Sequence, residues 1–245
     1  MARPTAEAIL RSRLEAADSI SVRLSSPPAR LLTGAVDSVQ VSGVGWCTPL
    51  RLSCRSVDVR VGRTSLDFPQ ILSSARILLQ SPARGHATIR FSPSDWDGFL
   101  AHPLLSKALS AYRRERDAPT VRFKGSTVIE GTGSVRFACA WGAAPMVASL
   151  SQRAGEARAR VSCEASEKQL EEREEQAEER EPQAEAGMAA SFLECFFNDL
   201  LVDLDGCQLR FSSMSVVEGS RANEPVLELK LDVCVVRFPS PLTKF

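Results

Sequence analysis

Histidine occurs only twice in the 245 residues, at His86 and His102, and aromatic side chains make up 6% of the chain, with a single tyrosine. The scarcity of histidine narrows the chemistry, because a Ser or Cys nucleophile needs a positioned base. His86 falls in a polar turn before a strand pattern and His102 precedes Pro103 at a helix break, so both read as structural. There is no G-x-S-x-G, no P-loop and no G-x-G-x-x-G after a strand; the "GVG" at Gly43–Gly45 reads as a turn or strand end. Nothing in the pattern points to an enzyme. The seven cysteines (47, 54, 139, 163, 195, 207 and 234) include no C-x-x-C pair and are odd in number, which argues against a zinc site or a disulfide framework. Most of them interrupt apolar strand patterns as small buried hydrophobes, consistent with a reducing compartment. Asp95 with Asp97 fits a helix start better than a metal site. No metal or other cofactor is expected.

Long apolar runs are missing too. None approaches the roughly 18–20 residues that span a bilayer, so any membrane contact is expected to be peripheral. The opening "MARPTAEAILRSRLEAADS" lacks a signal-peptide core, and Glu7, Glu15 and Asp18 argue against a transit peptide. Net charge is absent as well, with 30 basic residues against 30 acidic, but the balance is uneven. Ten Glu stand against Lys168, Arg173 and Arg180 between Glu164 and Glu185, which leaves the remainder with 27 basic and 20 acidic groups, a surplus of seven. A mildly basic body suits an anionic surface such as a phospholipid headgroup layer or nucleic acid. Nucleic acid would draw on Arg113, Arg114, Arg116, Arg122 and Lys124, but no aromatic platform accompanies them, so no nucleic-acid partner is expected.

What the chain does have is strand pattern. Ala6, Ile9, Leu10 and Leu14 predict a helix within residues 1–18, and Ile20, Val22 and Leu24 alternate in a first strand ending at Pro27-Pro28. In "LLTGAVDSVQVSGVGWCTPLRLSCRSVDVRVG", Leu31–Gly62, Val39 and Val41 share a face, as do Leu50, Leu52 and Cys54; parity then switches to Val57, Val59 and Val61. A bulge near Arg55-Ser56 would reconcile the halves and bend the sheet. "LDFPQILSS" reads as a short helix or turn, and "ARILLQSP" and "GHATIRFS" as strands. Ser92, Pro93 and Asp95 open a helix whose stripe of Trp96, Phe99, Leu100, Leu104, Leu105, Leu109 and Tyr112 is split by Pro103. Val121–Trp141 alternates as a hairpin around "GTG". Residues 143–188 form an acidic low-complexity insertion, either disordered or a solvated helix. A helix through Ala189–Leu204, a turn at Asp205-Gly206 and two strands close the chain. The predicted organisation is an N-terminal helix (1–18), a curved-sheet core (19–142), the insertion (143–188) and a C-terminal part (189–245) completing the same domain. At least six long strands share only two substantial apolar helices, so a curved sheet with apolar lining to spare is one reading. A fully packed core accounts for the same periodicity.

The motifs carry a resemblance. Leu31, Leu32, Gly34, Val36, Asp37, Val39 and Val41, followed by Gly85, Ala87, Ile89 and Phe91 and by a helix with Asp95, Phe99 and Leu100, resemble the LmeA-like phospholipid-binding family, which has bacterial, cyanobacterial and photosynthetic-eukaryote members. The resemblance covers residues 20–142 well and 189–245 loosely. It implies an α+β fold in which a strongly curved antiparallel sheet wraps one or two amphipathic helices, similar to tubular lipid-binding domains. It also implies non-catalytic phospholipid binding or transfer at a membrane surface, and makes a plastid or membrane-peripheral location plausible beside a cytoplasmic one. The acyl groove would then draw on Leu50, Leu52, Val57, Val59, Val61, Trp96, Phe99, Leu100, Phe123, Phe137, Phe192 and Phe196, with Arg113, Arg114, Arg122 and Lys124 at the headgroup. The alternative is a protein-interaction scaffold with a packed core, whose acidic segment recruits a basic protein partner.

Overall fold

A computed structural model describes residues 6–32, 34–65, 79–166, 180–219 and 224–237. The fold is α+β and built mostly from antiparallel sheet, as the resemblance implies. The chain divides into two compact units: Met1–Arg90 with Leu201–Ser212 and Leu229–Phe245, and Phe91–Leu200 with Ser213–Glu228. The first break between them, after Arg90, falls within the core predicted over 19–142.

The first unit begins with α1 (Ala6–Arg11), β1 (Ser19–Ser25), α2 (Pro28–Leu32), β2 (Ala35–Val36), β3 (Ser38–Cys47), β4 (Ser53–Val61), β5 (Thr64–Ser65) and β6 (Ala83–Phe91, whose last residue belongs to the second unit). After the second unit's α3 (Pro93–Ala101), α4 (Pro103–Glu115), β7 (Val121–Glu130), β8 (Ser134–Trp141), β9 (Ala144–Ser151), β10 (Arg160–Ala165) and α5 (Arg180–Asp199) come β11 (Leu201–Leu204), β12 (Cys207–Glu218) and β13 (Pro225–Val235). The long sheet runs β1-β3-β4-β6-β13-β12-β11, and a short β2-β5 ladder stands apart. Register carries the sequence alternation straight across it. Val22 pairs with Val41, Val41 with Val59 and Val59 with Ala87, while the alternate row reads Ser21, Ser42, Asp58, Thr88. One face of β1, β3, β4 and β6 is therefore apolar and the other hydroxylic or charged.

The parity switch has a different cause from the expected bulge. The β3–β4 register is unshifted from Val39↔Val61 to Cys47↔Ser53, and the irregular residue is Gly45 of β3, at φ +64. Only glycine adopts that conformation without strain, and a Cβ there would meet the Asp18 carboxylate at 2.5 Å. Leu50 and Leu52 also lie outside any strand. They belong to the β3–β4 turn, in which Thr48 N–H donates to the Leu52 carbonyl (2.9 Å) and the Thr48 hydroxyl accepts from Leu52 N–H (3.1 Å).

In the second unit α3 is capped as its sequence predicts: Ser92 accepts from Asp95 N–H, and Asp95 in turn accepts from Ser92 N–H at 3.0 Å. His102 ends α3 and caps α4, its Nδ1 accepting from Leu104 N–H (3.3 Å), so Pro103 splits the stripe as expected. The sheet order is β10-β9-β8-β7. Two of these strands fall inside the segment read as an acidic insertion. Met146, Ala148 and Leu150 of β9 and Val161 of β10 are buried, so the ordered sheet extends to Ala165. Residues 167–179 lie outside the described residues, as do 66–74, the short helix or turn. The C-terminal helix is α5, ending at Asp199 rather than Leu204: Asn198 donates back to Glu194 and exchanges two bonds with Ala159, and Leu201 and Val202 then pair with Arg210 and Leu209 in β11.

Candidate functional site

The second unit closes on itself. Trp96 of α3 stacks on Phe99 (5.1 Å between centroids), Phe197 of α5 meets Trp96, Phe123 and Phe137, and Phe192 packs edge-on against Trp141 and Tyr112. Such pairs add to area burial. Trp96, Leu100, Phe137 and Phe196 are at most 2% exposed. Of the seven groove candidates in this unit only Phe99 and Phe123 are more than marginally accessible, and even these contact other rings.

The first unit differs. Val57 is buried, and Val59 and Val61 pack with Ala83, Ala87, Val233 and Val235, yet the apolar rows lose cover toward β1. Ile20, Val22, Val39 and Val41 are half-buried, and Leu24 is 60% exposed. The indole of Trp46 lies over Gly43, where a Cβ would come within 1.7 Å of Nε1, and this N–H donates to the Ser19 carbonyl (3.3 Å). Val57, Val59 and Val61 are thus brought onto one face, with Ile20, Val22, Val39 and Val41 as neighbours that the candidate set omitted. Their register signal was already present in the alternation of β1 and β3. Leu52 is half-buried and Leu50 is 44% exposed, both at the end of the β3–β4 ribbon.

The four proposed headgroup residues all fall in the second unit. Arg113 donates to the Ala118 carbonyl and Arg114 to the Ser110 carbonyl, which makes both parts of the α4 terminus; Arg122 and Lys124 stand exposed on β7. The basic surplus is elsewhere. Across the whole sequence the first unit holds 16 Lys and Arg against 9 Asp and Glu, a net of +7, and the second 14 against 21, a net of −7.

Two shallow cavities are present, the first with Ile20, Val44 and Val57 also in its lining. One, about 310 Å³, is floored by Ser21, Ser42, Asp58, Thr88 and Arg90; the other, about 270 Å³, by Glu130, Arg136, Ser149, Ser162 and Glu164. His86 Nδ1 lies 3.1 Å from Asp232 at the surface, and His102 is buried with its pKa lowered by desolvation. Tyr112, which donates to Asp199 (3.2 Å) beneath the Arg116 guanidinium, is pushed up to about 12, chiefly by burial. Among the described residues no group of three or more His, Cys, Asp or Glu could hold a metal ion, and no helix is long and apolar enough to cross a membrane.

No curated protein and no solved structure matches the chain. A family model does, over residues 1–220, which takes in the apolar rows of β1, β3, β4 and β6 and the whole aromatic core. That match agrees with an apolar sheet face left partly uncovered in a basic unit, and the chain belongs to the LmeA-like phospholipid-binding family.

Proposed function

We propose that the protein binds a phospholipid without covalent chemistry, taking its acyl portion on the apolar face of β1, β3 and β4. Membership of a phospholipid-binding family supports the ligand class, and one observation favours the location: the in-register row Val22–Val41–Val59 is only half-buried, whereas the second unit's aromatics fill their own core. An acyl chain supplies the missing cover at about 0.8 kcal/mol for each buried CH₂. The net charge of +7 suits an anionic headgroup, so guanidinium groups of the first unit take that role more readily than Arg113 and Arg114, which already brace α4. Such a protein works at a membrane surface, as a peripheral binder or a transfer protein.

Mass spectrometry of lipid retained through native purification tests the reading. A phospholipid at close to one per chain is the expected result. A lipid-free protein that also ignores anionic liposomes at low salt refutes it. The scaffold alternative draws on the acidic surplus of residues 164–185; replacing their glutamates by glutamine leaves lipid retention unchanged if the lipid reading holds.

A further inference from the structure

We propose that the β3–β4 turn is the tip through which the first unit docks on an anionic phospholipid bilayer. The inference rests on the lipid-binding reading and adds the place of contact. Leu50 is 44% exposed at the apex, next to the exposed Pro49, and Arg51 beside it is exposed as well. A large apolar side chain at the apex of a tight turn adds little to the fold, but it gains on entering the acyl boundary. The turn is also held rigid. The two Thr48 hydrogen bonds close it, and Arg51 is fixed at φ +66, so little conformational freedom is lost on docking.

Charge points the same way. Glu15 N–H donates to the Cys47 carbonyl and Asp18 N–H to the Val44 carbonyl, which places the 11–18 segment against this end of the ribbon. Arg11, Arg13, Arg51 and Arg55 there outnumber Glu15 and Asp18, with Arg51 79% exposed while paired to Glu15 at 3.2 Å, and the unit's whole surplus is +7. Trp46 lies just behind the apex, its ring over Gly43 and its N–H held by Ser19; an indole with an apolar body and a satisfied polar edge suits the headgroup boundary. Gly43 is in the row Ile20–Gly43–Val57, the end of the apolar face on the tip's side, and Trp46 lies over it between that face and the turn.

The test uses the full chain and vesicles of phosphatidylglycerol with phosphatidylcholine, read by co-sedimentation at low salt. Leu50→Asp is expected to lower partitioning more than tenfold and Arg51→Gln about fivefold. Val236→Asp, at a site 45% exposed in the same unit, is expected to leave it unchanged. Binding of dihexanoyl-phosphatidylglycerol below its micelle concentration should survive in all three variants, which separates docking from the lipid site. Wild-type partitioning by Leu50→Asp overturns the proposal, as does an equal loss in Val236→Asp. If the wild type binds the monomeric lipid yet ignores vesicles, the tip is refuted and lipid binding stands; if it binds neither, the lipid-binding reading itself fails.

Discussion

Replacing Val41 by Asp separates a lipid-bearing face from a closed core. Val41 sits mid-strand in β3 between Val22 and Val59, half-buried among β-branched neighbours. With solvent reaching the site, the carboxylate stays hydrated in the lipid-free protein, and the loss is limited to pairing and propensity, about 1 kcal/mol. For a chain of this size that is a fall in Tm of roughly 2–4 °C. Under an acyl chain the same carboxylate would be stripped of water, at a cost of several kcal/mol, so binding of monomeric short-chain phosphatidylglycerol should drop at least about 100-fold. Val41→Ala grades the effect. It removes two methyl groups worth about 0.8 kcal/mol each, of which the lipid covers about half, giving roughly a fourfold loss. Thermal melting and fluorescence titration on the same samples read both quantities. A fall of more than about 10 °C in Val41→Asp, or lipid affinity unchanged in a folded variant, would show that the face is ordinary core and refute the reasoning.

Three further outcomes follow from the second unit. Burial holds the folded pKa of His102 below its usual value of 6.5, so below that pH the unfolded chain binds a proton that the folded chain resists. Stability should be flat above about pH 6.5 and decline toward about pH 5, and His102→Asn, which keeps a capping side chain, should flatten that slope in denaturant titrations. Tyr112 is the single tyrosine, so the 295 nm phenolate absorbance reports it alone; its midpoint should lie near 12 in the native protein and fall to the ordinary value of 10.0 in denaturant. Asp97 accepts from the backbone N–H (3.1 Å) and hydroxyl of Thr127, beside the β7 irregularity where Gly125 takes φ +77. Asp97→Ala leaves those donors unmet and should cost about 1–3 kcal/mol, with Asp97→Asn recovering most of it in urea unfolding.

How much of this was legible depends on what each residue signals locally. The alternation in β1, β3, β4 and β7–β8 was readable because the apolar residues are large and β-branched or aromatic. Ser92–Pro93–Asp95 and Pro103 were readable because capping and the missing N–H act within one turn. "APMVASLS" carries a weak strand signal because two of its alternate positions are small; Ala148 is fully buried between Phe137 and Cys163 on the neighbouring strands, a fit that only the register reveals. Leu200 and Leu204 suit helical spacing as well as strand spacing, and the decision against helix comes from Asn198 bonding to Ala159, 39 residues away in sequence. For the site, Val57, Val59 and Val61 were identifiable as one face. That Trp96 and Phe196 turn to each other's neighbours, while Leu24 and Val41 keep exposed surface, is a matter of which faces find partners, and periodicity is silent on that.

The central claim is that the first unit's apolar face carries a phospholipid. Its most direct measurement is native mass spectrometry of the full chain purified without detergent, compared with Val41→Asp prepared identically. The account predicts a phospholipid mass on the wild-type protein and its loss from the folded variant. Wild-type protein with no bound lipid, or a variant that keeps the same lipid at the same occupancy, would contradict it.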